Sequence, residues 1–427
     1  MRILLLLLAL ALLARPRYGG TLVIDLQDPA PTLAPASTHP RLANLIYDRL
    51  VSLDSNNQPA PALAVSWANE NNFRRWQFRL RTNARAHDGT VLTPALVAAA
   101  ISLPNRTVTS TPDSILIQSA QPQRALLYEL ARFPIALRGN GALTGTGPFR
   151  VLEFDPNRKA VLVAFEGHWA GRPFIDTVEV HLARPNRLAE LEGGRSDIAE
   201  LPLAEARRQL TRGRKAWAGF PLHLILLEFA RTHPAVADPR LRQALALAVD
   251  RAPILNVLLQ RQGESTAALL PQLVSGYAAL FATSRDLARA GTLLPPPAAP
   301  ILLGHDAADP SLRLLAERIA LNAREANLPV RVVTGPADAT LLRIAGSTLV
   351  PADLLAEYCS RLGIAAPAPS FTFESLLEAE KRALDGGWLL PLFHVPPHFG
   401  VGARVRNFVP DGALEWRIDQ TWIEAAP

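Results

Sequence analysis

The sequence predicts an α/β protein with more than one hydrophobic core, and three observations carry the prediction. Its 427 residues exceed what one core holds, since single cores stop growing near roughly 250–300 residues. Hydrophobic residues at 49% against 19% charged belong to folded chains, not disordered ones. Between residues 301 and 333 an apolar run, an amphipathic stretch opened by Pro310 and a second apolar run follow in the order strand, helix, strand, which points to parallel pairing.

Charge and cysteine usage narrow the class. The formal net charge is +6, but only Lys159, Lys215 and Lys381 are lysines among the 44 basic residues. Arginines and acids are interspersed without a basic stripe, which argues against a nucleic-acid partner. After the single charge of Arg2, residues 3–14 are apolar throughout. That run is shorter than the roughly 20 residues a membrane span needs, and it fits a secretory leader over residues 1–14, cleaved after Ala14. No cysteine follows it, so no lipid anchor is expected, and Cys359, being alone, permits no internal disulfide.

In chain order, residues 19–25 read as a strand, followed by a Pro-rich loop over 28–35. Residues 37–50 read as a helix with Leu42, Leu45, Ile46 and Leu50 on one face. Residues 76–81 alternate as a strand. His87-Asp88-Gly89-Thr90 is a turn in which His87 packs or caps and does no catalysis, and Thr93 caps a helix opened by Pro94. Residues 114–118 form a strand and 125–133 a helix.

The densest stretch runs over residues 144–198. Gly145-Thr146-Gly147-Pro148 is a turn whose glycines can take positive φ. Two strands over 149–154 and 160–165 flank an Asp155-Pro156-Asn157 turn, and a loop bearing Trp169 follows. A third strand over 177–182 and a helix over 186–192, stopped by Gly193-Gly194, complete it. Further on, 223–229 is a buried strand, and Asp238 caps a helix reaching Asp250-Arg251. After a stiff linker at 295–300 come the strand–helix–strand unit, a helix after Asp353 read as its cap, a helix over 373–384, and a strand over 388–394.

This order resembles the peptide/nickel family (family 5) of extracytoplasmic solute-binding proteins, the receptors of ABC importers. The matching residues are Gly145-Thr146-Gly147-Pro148-Phe149, Trp169, Gly171, Pro173, Asp176, Gly194 and Asp197-Ile198. A second block is Leu50, Leu53, Asp54, Pro61-Ala62-Leu63-Ala64, Ser66 and Trp67, and a third runs from Asp238 through Arg240, Arg242, Gln243 and Ala244 to Asp250-Arg251. The resemblance implies a two-lobed, periplasmic-binding-protein-like α/β fold with two hinge crossings, near Pro221 and Pro396. It places the first lobe at 15–50, 144–219 and 397–427, an inserted subdomain at 51–143 and the second lobe at 220–396.

The implied function is capture of a peptide or similar solute between the lobes and delivery to an inner-membrane ABC permease, by a monomer exported to the periplasm. A sensing or scaffolding protein uncoupled from transport is the alternative. Ligand contacts are expected from Pro31, Thr32, Thr38, Ala345 and Thr348. In peptide-binding relatives an Asp holds the ligand's amino group; here Thr348 stands at that place and Ala345 stands where a Trp is usual. No nucleotide loop, zinc motif, paired-cysteine motif or nucleophile elbow occurs, so no enzyme and no cofactor are expected. Pro396 and Pro397 forbid the helix that would let His394 and His398 share a metal.

Overall fold

The computed structural model describes residues 16–35, 39–54, 58–138, 143–276, 283–294, 300–307, 309–346, 348–365, 373–408 and 416–424. The apolar run read as a leader lies outside them, as does Thr38. The chain forms two compact units, Met1–Trp217 with Phe399–Pro427, and Ala218–His398.

The first unit is built on a seven-stranded sheet. At its centre the alternating run Thr21–Asp25 pairs in parallel with Thr177–His181 on one side and Ile198–Leu201 on the other. Leu22 and Ile24 are fully buried on one face of it, as a period of two requires. Lys159–Ala164 and Phe149–Asp155 extend one edge as a hairpin, turning through Asn157 at positive φ. His398–Val401 and Lys215–Ala218 form the other edge.

The residue 51–143 region has its own four-stranded antiparallel sheet, in the order Ala64–Glu70, Arg75–Leu80, Ser114–Ser119, Arg106–Ser110. Trp76, Phe78 and Leu80 alternate inward to a separate core while Gln77 and Arg79 face solvent. Thr93 caps the Pro94–Ala100 helix, its hydroxyl accepting the Leu96 N–H at 3.3 Å. Arg106 grips Glu129 with two hydrogen bonds of 2.5 and 3.0 Å.

The helix expected over residues 37–50 is shorter, Pro40–Ile46, with Tyr47 already extended. Its end is taken by the 145–148 turn: Gly147 donates its N–H to the Ile46 carbonyl at 2.9 Å. A Cβ on Gly147 would lie 2.6 Å from the Ile46 carbonyl carbon and 2.8 Å from Leu45 O, and one on Gly145 would meet His87 at 2.7 Å. Neither glycine has positive φ. Both are glycines because two backbones touch there, which corrects the reading from turn chemistry.

The same junction is fastened by polar side chains. Thr146, fully buried, accepts the Asp48 N–H at 3.0 Å and donates to Ile135 O at 3.2 Å. The Trp169 indole N–H donates to Asp48 Oδ2 at 2.8 Å. His87 donates its backbone N–H to Gly145 O at 2.9 Å, and its ring reaches Gly147 O at 3.0 Å, so it is a packing residue of this turn.

The second unit carries a six-stranded mixed sheet in the order Glu264–Ser265, Leu389–Val395, His223–Phe229, Ala339–Ala345, Ile301–His305, Val330–Val332. Ile301–His305 runs parallel to both Val330–Val332 and Ala339–Ala345, as its strand–helix–strand pattern predicts. The Pro310–Glu325 helix buries Leu312, Leu315, Ala316, Ile319 and Ala323 in the unit's core. Asp238 caps Pro239–Ala248, accepting the Arg240 N–H at 2.9 Å.

Candidate functional site

In open α/β sheets ligands bind beyond the carboxyl ends of parallel strands, where connections leave in opposite directions. The first unit has one such edge. Thr177–His181, Thr21–Asp25 and Ile198–Leu201 all end on it, and residues 26–35 leave from the central strand. Pro31 is exposed on this loop, and the half-buried Thr32 accepts the Ala34 N–H through its hydroxyl at 3.0 Å.

The root of the loop is held by buried charge. Glu200 accepts the Gln27 N–H at 3.1 Å and the Arg41 guanidinium at 3.2 Å. The two side chains are 2% and 8% exposed, so the pair is desolvated and dependent on both partners. Arg41 also lies over the rings of Phe399 and Trp416, 4.8 and 5.1 Å from their centres. At the end of the central strand Asp25 is fully buried. Burial holds its carboxyl above the usual carboxylate range, opposed by Arg184 at 3.3 Å, which also binds Glu190 at 2.5 Å. Pro31 is thus the exposed point of a loop whose root is held by buried polar contacts.

The second unit has an equivalent edge where Ile301–His305 and Ala339–Ala345 end. Ala345 pairs with His223, the first residue of the neighbouring antiparallel strand. Arg343 donates Nε to Asp309 Oδ2 at 2.9 Å, and its NH1 lies 3.0 Å from His223 Nδ1, which fixes that nitrogen as the acceptor. Gly346 donates its N–H to Leu222 O at 2.8 Å, and the Tyr358 hydroxyl donates to the same carbonyl at 2.7 Å. A Cβ on Gly346 would lie 2.6 Å from Leu222 O, so no side chain fits there.

Thr348 is 4% exposed, and its hydroxyl accepts the Val350 N–H at 2.9 Å. The following helix is Pro351–Arg361 with Val350 as its cap. Asp353 therefore sits in the first turn and is not the cap that its position before LLAEYCSRL suggests. Pro351 starts the helix earlier, since its fixed φ suits the first helical position. A carboxylate in the first turn is still favoured by the helix dipole.

Of the five residues expected at the site, Pro31 and Thr32 adjoin on the first unit, and Ala345 and Thr348 flank Gly346 on the second. The Arg41–Glu200 and Arg343–Asp309 pairs escaped the sequence reading, although a charge inside an apolar strand such as LLRIA is itself a signal. Trp169 and Trp388 pack against hydrophobic cores, whereas Trp217 is 45% exposed. Among the described residues no group of three or more His, Cys, Asp or Glu is placed to hold a metal, and no helix is long and apolar enough to cross a membrane.

Comparison with known proteins adds a family and a fold. The profile of bacterial extracellular solute-binding proteins, family 5 (middle region), matches residues 106–296. The probable D,D-dipeptide-binding periplasmic protein DdpA of Escherichia coli K12 is 23% identical over 270 residues, covering 54% of this chain and 52% of that one. Alignments to curated relatives span from 25% to 58% of those proteins' own length. NikA of Staphylococcus aureus, solved with Ni(L-His)2, superposes with a TM-score of 0.79 at 17% identity, over 95% of this chain and all of that one. AppA of Bacillus subtilis, solved with a nonapeptide, gives 0.75 at 16% identity, over 96% and 100%. These structures carry the two-lobed solute-binding fold.

Proposed function

The chain belongs to the family 5 bacterial extracellular solute-binding proteins, and from that premise we propose that it captures a small solute outside the cytoplasm and delivers it to an ABC import permease. The observation that carries the reading is the pair of carboxyl-terminal sheet edges, each ending in a loop or turn fixed by buried polar contacts. Pro31, Thr32, Thr38, Ala345 and Thr348 supply ligand contacts in this reading. Solute is released unchanged, by a monomer that is exported on a leader over residues 1–14.

Structural relatives hold ligands as different as Ni(L-His)2 and a nonapeptide, so the fold alone leaves the solute open. Thr348 narrows it. An uncharged, buried hydroxyl engaged with Val350 offers no carboxylate to an ammonium group, so we propose a solute that is not a simple peptide with a free amino terminus. The test is uptake of the co-purified solute by source cells with and without the gene. Loss of uptake on deletion supports transport, whereas unchanged uptake with the solute still bound leaves a sensing protein.

A further inference from the structure

We propose that the first unit carries a second small-molecule site, for an organic oxyanion, in a hollow at the amino edge of its central sheet. The hollow encloses about 530 Å³ between Leu191, Glu192, Asp197, Lys215, Val401 and Arg404. That volume lies within the roughly 300–1,000 Å³ usual for ligand pockets. Asp197 directly precedes Ile198–Leu201, and Arg404 donates to the carbonyl of Thr21, the first residue of the central strand. Parallel strands have two distinct ends, so this edge is the opposite one from that bearing Pro31 and Thr32.

An inventory of donors and acceptors gives the ligand class. Both carboxylates in the wall are paired with arginines. Asp197 accepts the Val23 N–H at 2.9 Å and takes Arg404 through both oxygens, at 2.5 and 2.7 Å. Glu192 accepts Gln209 Nε2 at 3.0 Å and an N–H of Arg212, with Arg214 a further 3.6 Å away. The cations are not exhausted. Arg404 NH1, Arg214 NH2 and the Lys215 ammonium make no hydrogen bond or ion pair among the described residues. A hollow whose two carboxylates are already paired with arginines, and which keeps three cationic groups with open donors, favours an acceptor-rich anion, while Leu191 and Val401 suit its carbon skeleton. Arg404 is already fixed by its two bonds to Asp197, so little side-chain entropy is lost on binding.

The experiment is calorimetry on the full chain, refolded to remove bound solute, at low salt. Succinate and glycerol 3-phosphate are titrated separately, with uncharged 1,4-butanediol as the control. The expected result is binding of at least one anion and not the diol, weakened about tenfold or more in a Lys215→Ala/Arg214→Ala variant. Succinate alone would mark a carboxylate site, and glycerol 3-phosphate alone a phosphate site. Both substitutions are at exposed positions, and an unchanged far-UV spectrum and melting curve check the fold. Neither anion binding to the wild type, or equal binding to the variant, overturns the proposal. The solute that co-purifies with the protein is read at the other edge, so its retention by the variant in native mass spectrometry separates this site from the proposed transport site.

Discussion

Trp169 donates its indole N–H to the Asp48 carboxylate at 2.8 Å, which joins the loop after the Lys159–Ala164 strand to the end of the Pro40–Ile46 helix. Arg81, the residue after the Arg75–Leu80 strand, lies 4.1 Å from the indole centre. One aromatic side chain thus ties together three parts of the first unit. Trp169→Phe keeps most of the packing and removes the hydrogen bond to a charged acceptor, a loss of about 1.5–3 kcal/mol. Urea unfolding followed by circular dichroism is the check; a change below about 0.5 kcal/mol, the range of neutral surface substitutions, would show that the contact is incidental.

Arg41→Leu leaves the Glu200 carboxylate buried without its guanidinium partner. Removing one member of a buried pair costs about 3–5 kcal/mol. The variant is expected to melt at a markedly lower temperature, while replacement of the half-buried Arg75, paired to the exposed Glu70, changes stability by about 0–1 kcal/mol. Similar losses from the two variants would mean that burial around Glu200 is not what makes its pair matter.

Burial lowers the His87 pKa below its ordinary value, and the hydrogen bond to Gly147 O only partly opposes this. A histidine with a depressed folded pKa stays neutral while the unfolded chain takes up a proton. Its stabilisation is full above the unfolded value near 6.5 and falls as pH drops through that value towards the folded one. Wild-type protein should therefore lose more unfolding free energy between pH 7.5 and 5.5 than His87→Gln, which keeps a donor for Gly147 O but does not titrate. Parallel pH slopes for the two proteins would assign the acid sensitivity elsewhere.

Much of this architecture is legible in the sequence, because the signals are local. The alternation of Trp76, Phe78 and Leu80, the caps Thr93 and Asp238, and the strand–helix–strand over 301–333 are each dictated by a few neighbouring residues. What stays hidden depends on parts of the chain far apart. Gly145 and Gly147 look like turn residues until Ile46, some hundred positions earlier, is seen against them. The helix over 40–46 looks longer for the same reason, since its last carbonyl is claimed by Gly147. Asp353 looks like a cap because spacing to the apolar run is all the sequence offers; Pro351 and the Thr348 hydroxyl set the start earlier. Of the candidate site, Pro31 and Thr32 are expected from the resemblance alone, while Glu200 and Arg41 at the root of their loop, with a sequence separation of 159, leave no local signal.

Dipeptides and tripeptides with free amino termini are expected to bind the wild type weakly. Truncating one partner of a buried charge pair costs about 2–5 kcal/mol, which turns micromolar binding into millimolar or weaker. Thr348→Asp keeps an acceptor for the Val350 N–H and adds a charge, so calorimetry should show tighter peptide binding by the variant. Tight binding of such peptides by the unmodified protein would remove Thr348 as the selecting residue.

The central claim is reversible capture of a solute without chemistry. Native mass spectrometry of the protein isolated from the exported fraction of its own cells tests it most directly. The account predicts a complex heavier than the chain by one small molecule, released on denaturation and recovered with the same mass after prolonged incubation with fresh protein. A small molecule returned with an altered mass would contradict the account and identify an enzyme.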